Sequence, residues 1–98
     1  MANIRVSRPH TMSLDEAKQA AQQVTDKLAA KLDMKSRWEG DVLHFTRSGV
    51  DGKLSVTSKE ATIEIKLGFM LGMMSGSIEQ QANEMMEDVF VKRINKLG

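Results

Sequence analysis

The sequence predicts an α+β domain: an antiparallel meander sheet of four to five strands with two helices packed on one face. Three observations predict it. Apolar and polar residues alternate with period two between positions 35 and 67. Apolar residues recur at steps of three and four on either side of that stretch. Turn-forming residues punctuate the alternating part. The 98 residues suit one domain, 1–98.

The first element is a short strand, since Ile4 and Val6 alternate with Arg5 and Ser7. Arg8-Pro9-His10 stops it, which places it at a sheet edge. Ser13 and Glu16 stand at capping-box spacing and open a helix that ends near Asp33. Leu14, Ala17, Ala21, Val24, Leu28 and Leu32 form its apolar stripe, whose small residues let it sit close against the sheet.

Four antiparallel strands follow between Lys35 and Leu67, with turns at Glu39-Gly40-Asp41, at Ser48-Gly49-Val50-Asp51-Gly52 and at Ser58-Lys59-Glu60. Leu43, Phe45, Leu54, Val56, Ile63, Ile65 and Leu67 supply the core face, while His44, Thr46, Lys53, Ser55, Thr57, Thr62, Glu64 and Lys66 make the other face polar. Trp38 is placed to close one end of the core. Ser77 and Gln80 repeat the cap spacing and open the second helix, whose buried face is Ile78, Ala82, Met85, Met86, Val89, Phe90 and Leu97. Acidic residues early and Lys92, Arg93 and Lys96 late suit its dipole.

Several function classes find no support. Fourteen basic and thirteen acidic residues give a formal charge of +1 without blocks of one sign, and four aromatics offer no stacking platform, so no nucleic-acid partner is expected. The chain lacks cysteine, which excludes disulfides and thiolate metal sites and fits a reducing, cytoplasmic setting. The opening residues contain no apolar signal-peptide core, and the longest nearly apolar run, from Leu67 to Met74, falls far short of the roughly 20 residues that span a bilayer. No transmembrane segment is expected.

No catalytic, cofactor-binding or metal-ligating set emerges. His10 and His44 have no second ligand at suitable spacing within their own elements. His44 could meet Ser55 or Glu64 across the polar face, but an open wet face offers neither burial nor convergent groups. Gly49 and Gly52 join strand to strand, so they form a turn and not a phosphate loop.

The unusual feature is methionine. There are eight, and Met70, Met73, Met74, Met85 and Met86 cluster in one region. Within it, Gly68, Phe69, Met70, Leu71, Gly72, Met73 and Met74 form the candidate interaction segment. Gly68, Gly72 and Gly76 would share one side of a helical conformation and allow close packing there. The ordinary reading is a buried connection whose methionines fill core gaps, and it carries the greater weight because most apolar residues of a small domain are core. The other is an adaptable surface for apolar partners. A mixed outcome is expected, with at least one of Met70, Met73 and Met74 exposed.

The chain also resembles a known family, the putative polyhydroxyalkanoic acid system proteins of bacteria, encoded beside genes for polyester storage granules. The resemblance runs over nearly the whole chain: Ile4-Arg5-Val6 with Pro9-His10, Ser13-Leu14-Asp15-Glu16-Ala17-Lys18, Trp38-Glu39-Gly40-Asp41, Gly49-Val50-Asp51-Gly52, and Leu67-Gly68-Phe69-Met70-Leu71-Gly72 leading to Ser77-Ile78-Glu79. It implies a setting in the cytoplasm near granules, and no reaction. The expectation is a non-enzymatic protein that associates with the granule surface or a granule-associated protein through Gly68 to Met74, with the oligomeric state, a homo-oligomer included, left open. The alternative is a module enclosing a small apolar ligand such as an acyl chain. An enzyme of polyester metabolism would be the third reading, but no serine sits in a Gly-x-Ser-x-Gly turn.

Overall fold

The computed structural model describes residues 2–68 and 71–91. Strand β1 (Ala2–Pro9) leads into helix α1 (Leu14–Leu32), followed by β2 (Lys35–Glu39), β3 (Val42–Arg47), β4 (Val50–Val56) and β5 (Glu60–Leu67). A 3₁₀ turn (Leu71–Met74), helix α2 (Ser75–Met86) and a π-helical turn (Glu87–Val91) complete the described chain. The strands form one antiparallel sheet in the order β1-β5-β4-β3-β2. The meander therefore has the predicted extent, and β1 extends it to five strands at the edge opposite β2. Helix α1 carries the chain across the sheet from one edge to the other.

The alternation puts Ile4, Val6, Leu43, Phe45, Leu54, Val56, Ile63, Ile65 and Leu67 into one core with Ala17, Ala21, Val24 and Leu28 of α1 and Ile78, Ala82 and Met86 of α2. Helix α1 lies against β3 and β4, and α2 against β1. The start of α1 is local chemistry. Ser13 Oγ accepts from the Glu16 amide (3.2 Å), and the Glu16 carboxylate accepts from the Ser13 amide (3.4 Å). Its end is set by Asp33, which adopts the left-handed conformation (φ 54°) that aspartate tolerates better than most residues.

Two-residue turns join β2 to β3 and β3 to β4, and the positive φ each needs falls on glycine, at Gly40 (63°) and Gly49 (85°). The expected turn at Ser48 to Gly52 is thus too long. Val50, Asp51 and Gly52 belong to β4, and Gly52 pairs with Phe45. The Phe45 ring lies over Gly52 so closely that a Cβ built there would overlap it.

Trp38 sits half-buried at the β2 edge, a cover over the core's rim. Its indole donates to Gln22 Oε1 (2.9 Å), and Lys18 Nζ lies 4.9 Å from its ring centre. Lys18 also donates to the Gly40 carbonyl (3.1 Å), tying α1 to the β2–β3 turn.

The second helix departs from expectation at both ends. It begins at Ser75, two residues before the Ser77 cap, and its N-cap position is Met74, whose side chain makes no cap bond. The preceding 3₁₀ turn feeds directly into it, so Ser77 lies inside the first turn. After Met86 the chain widens into the π turn, in which Val89 and Phe90 are both buried. The expected helical continuation through Lys92, Arg93, Lys96 and Leu97 lies outside the described residues.

Thr25 has a fully buried hydroxyl with no hydrogen-bond partner among the described residues. A buried unsatisfied hydroxyl costs about 1–3 kcal/mol, and valine has nearly the same shape. Thr25→Val is expected to raise the unfolding free energy by about 1 kcal/mol in urea denaturation; a fall would show that the hydroxyl has a partner.

Candidate functional site

Strand β5 ends at Leu67, and the next residue is held by backbone geometry. The Gly68 amide donates to the Gly49 carbonyl (2.8 Å), and a Cβ on Gly68 would stand 3.4 Å from Gly49 Cα. Gly68 is therefore a close approach between the end of β5 and the β3–β4 turn. The Gly72 amide then donates to the Gly68 carbonyl (2.9 Å) and folds the chain back toward α2. Phe69 and Met70 lie outside the described residues, as does the side chain of Leu71.

The glycine spacing does not act as expected. Gly68 precedes the helical turns, and apart from chain neighbours and the helix's own backbone no described atom comes within 4 Å of a Cβ built on Gly72 or Gly76. The three glycines thus form no common packing face: Gly68 rests on the β3–β4 turn, while Gly72 and Gly76 face open space among the described residues. A repeat of four residues suggests one face only if the whole stretch is one helix, and here it crosses from loop to 3₁₀ turn to α-helix.

The methionines divide. Met86 is fully buried and Met85 packs against the core, as expected for the second helix. Met73 is 92% exposed and Met74 47%, and they are the exposed large hydrophobics among the described residues. The buried-connection reading fails at these two positions, and the mixed outcome is met. Nearby, Arg47, Asp51, Lys66, Gly49 and Gly68 line a shallow concavity of about 310 Å³ at the same end of the sheet.

The polar sheet face does not assemble a catalytic cluster. His44 lies opposite Arg37 on one side and Lys53 on the other. Ser55 pairs with Val42 and Thr62. Glu64 is one strand beyond Lys53, so about 10 Å separates its strand from that of His44. Lys53 stands between the two and meets the Glu64 carboxylate at 4.0 Å. His44→Ala is accordingly expected to shift the denaturation free energy by less than about 0.5 kcal/mol and to leave any cellular activity unchanged. Loss of activity with stability intact would revive a role for this histidine.

Two other residues act structurally in ways the sequence did not reveal. His10 is buried, with Nε2 donating to the Thr57 carbonyl (2.8 Å) and Nδ1 accepting from the Met12 amide (3.1 Å), so these partners select one neutral tautomer. Its ring lies 5.8 Å from that of Phe90. Arg8 ties β1 to the second helix through Glu87 Oε1 and Asn83 Oδ1, each at 2.9 Å. An arginine near the end of a strand, or a lone histidine just past it, gives no periodic signal for such partners 47 to 79 residues away.

Among the described residues no group of three or more His, Cys, Asp and Glu side chains is placed to hold a metal. No helix among them is long and apolar enough to cross a membrane. The three concavities described, beside Arg8 and Glu87, around His44 and Lys53, and beside Arg47 and Lys66, are each lined by charged side chains, a poor enclosure for an acyl chain.

A family model described as putative polyhydroxyalkanoic acid system protein matches residues 4–90. No curated protein and no solved structure matches the chain.

Proposed function

This chain belongs to the family of putative polyhydroxyalkanoic acid system proteins, and from that premise we propose that it is a non-enzymatic component that attaches to the storage-granule surface, or to a protein there, through Gly68 to Met74. The observation that carries the reading is the exposure of Met73 and Met74 side by side. Two adjacent flexible, polarizable side chains held in water on a backbone anchored at Gly68 are suited to an irregular apolar surface. A polyester particle is such a surface. The absence of a convergent polar cluster around His44 supports a binding role over a catalytic one.

The test is co-sedimentation of the full chain with washed polyhydroxybutyrate particles, bare or carrying their native protein coat. Retention on either that depends on Met73 and Met74 supports the reading and distinguishes surface from protein partner. Failure to sediment with both would sink it.

A further inference from the structure

Among the described residues β1 has a sheet partner, β5, on one side, and its outer edge is unpaired. Three observations establish which backbone groups it presents. Just past the strand, the His10 amide donates to the Lys59 carbonyl (2.9 Å), so even-numbered residues turn their backbone toward β5. The Ser7 carbonyl accepts instead from Arg8 Nη1 (2.9 Å), which puts odd-numbered residues the other way. Ser7 and Thr62 stand opposite one another with their hydroxyls 2.9 Å apart, as suits the closer, non-hydrogen-bonded pairs of an antiparallel ladder. Asn3 and Arg5 therefore point both amide and carbonyl outward, and Ser7 its amide. Arg8 occupies the Ser7 carbonyl and Pro9 ends the strand, so the open stretch is short and defined.

From this geometry we propose that the β1 edge takes up an extended segment of another protein as a sixth strand, with an acidic side chain facing Arg5. Backbone pairing supplies affinity in this mode and alternate side chains supply selectivity. Arg5 is exposed on the polar face, and among the described residues its guanidinium has no hydrogen bond or ion pair, while Glu64 opposite it lies 4.0 Å from Lys53. A second copy of this chain fits poorly. Antiparallel self-pairing that uses all the outward groups sets Arg5 against Arg5 of the other copy, and directly opposed like charges destabilise a sheet.

The test uses the full chain and a capped pentapeptide, Thr-Val-Glu-Val-Thr, followed by amide hydrogen exchange. In the free protein the Asn3, Arg5 and Ser7 amides should exchange at least about 100-fold faster than those of Ile4 and Val6, since they lack sheet partners. Saturating peptide should slow Arg5 and Ser7 at least about tenfold. Arg5→Glu should weaken this peptide about fivefold and bind instead the same peptide with lysine at its centre; Arg5→Gln serves the same comparison if the reversal disturbs folding. Unchanged exchange at millimolar peptide overturns the proposal. So does protection of the odd-numbered amides in the free protein that grows with its concentration, which would mean self-pairing. Equal binding by wild type and both Arg5 variants overturns the acidic partner.

Discussion

Gly52→Ala is expected to lower the unfolding free energy by about 3 kcal/mol, the upper part of the range for overpacking a core. Two effects compete. Alanine in a strand relieves the entropic cost of glycine, a gain of roughly 0.5–1 kcal/mol. Against it, the new methyl group would overlap the Phe45 ring, which is fully buried and cannot swing aside without displacing its neighbours in the core. The overlap outweighs the entropic gain, so the ring sets the sign. A control isolates the cause. In a Phe45→Leu background, where no ring covers position 52, the same substitution should cost much less, and the difference is the coupling between the two sites. A loss below about 0.5 kcal/mol for Gly52→Ala in urea denaturation would show that Phe45 does not rest on the glycine.

The double substitution Met73→Ser with Met74→Ser should separate association from stability, weakening the first and leaving the second in place. Burying half of each side chain against a granule is worth about 1.5–3 kcal/mol for the pair. Its removal should weaken retention on particles about 10- to 100-fold. Stability should hold. Met73 already stands in water, and Met74 is about half-exposed and makes no side-chain cap bond at the start of α2. Core methionines would respond differently, with a loss of several kcal/mol. Weaker retention accompanied by a lower denaturation midpoint would mean that the two side chains act through the fold.

The contrast between the two helix starts shows why one local signal held and the other did not. Ser13 follows a chain that has just left a strand through Pro9 and His10, so nothing upstream competes with its capping box. Ser77 carries the same kind of spacing, but the chain reaches it from β5 through the Gly68–Gly49 contact and a 3₁₀ turn that is already helical. The helix therefore nucleates earlier. Gly52 was legible in principle. It falls on the core side of the alternation Val50, Leu54, Val56, where a glycine inside a strand signals a close approach more than a turn.

By itself the sequence determined the family, the α+β class, the extent of the meander, the faces of the sheet and the box that opens α1. The family follows from the resemblance of its ordered motifs; the rest follow from periodicity and contacts spanning a few residues, which any copy of the chain carries in its local order. Only the tertiary structure decided that Phe45 covers Gly52, that Gly68 rests on Gly49, that His10 and Arg8 find partners far along the chain, and that Met73 and Met74 remain in water while Met86 does not. The physical reason is common to all of them. Residue type sets what a side chain prefers, but its surroundings depend on which strand lies opposite and where the chain enters the next helix, and both are settled by packing the whole sheet at once.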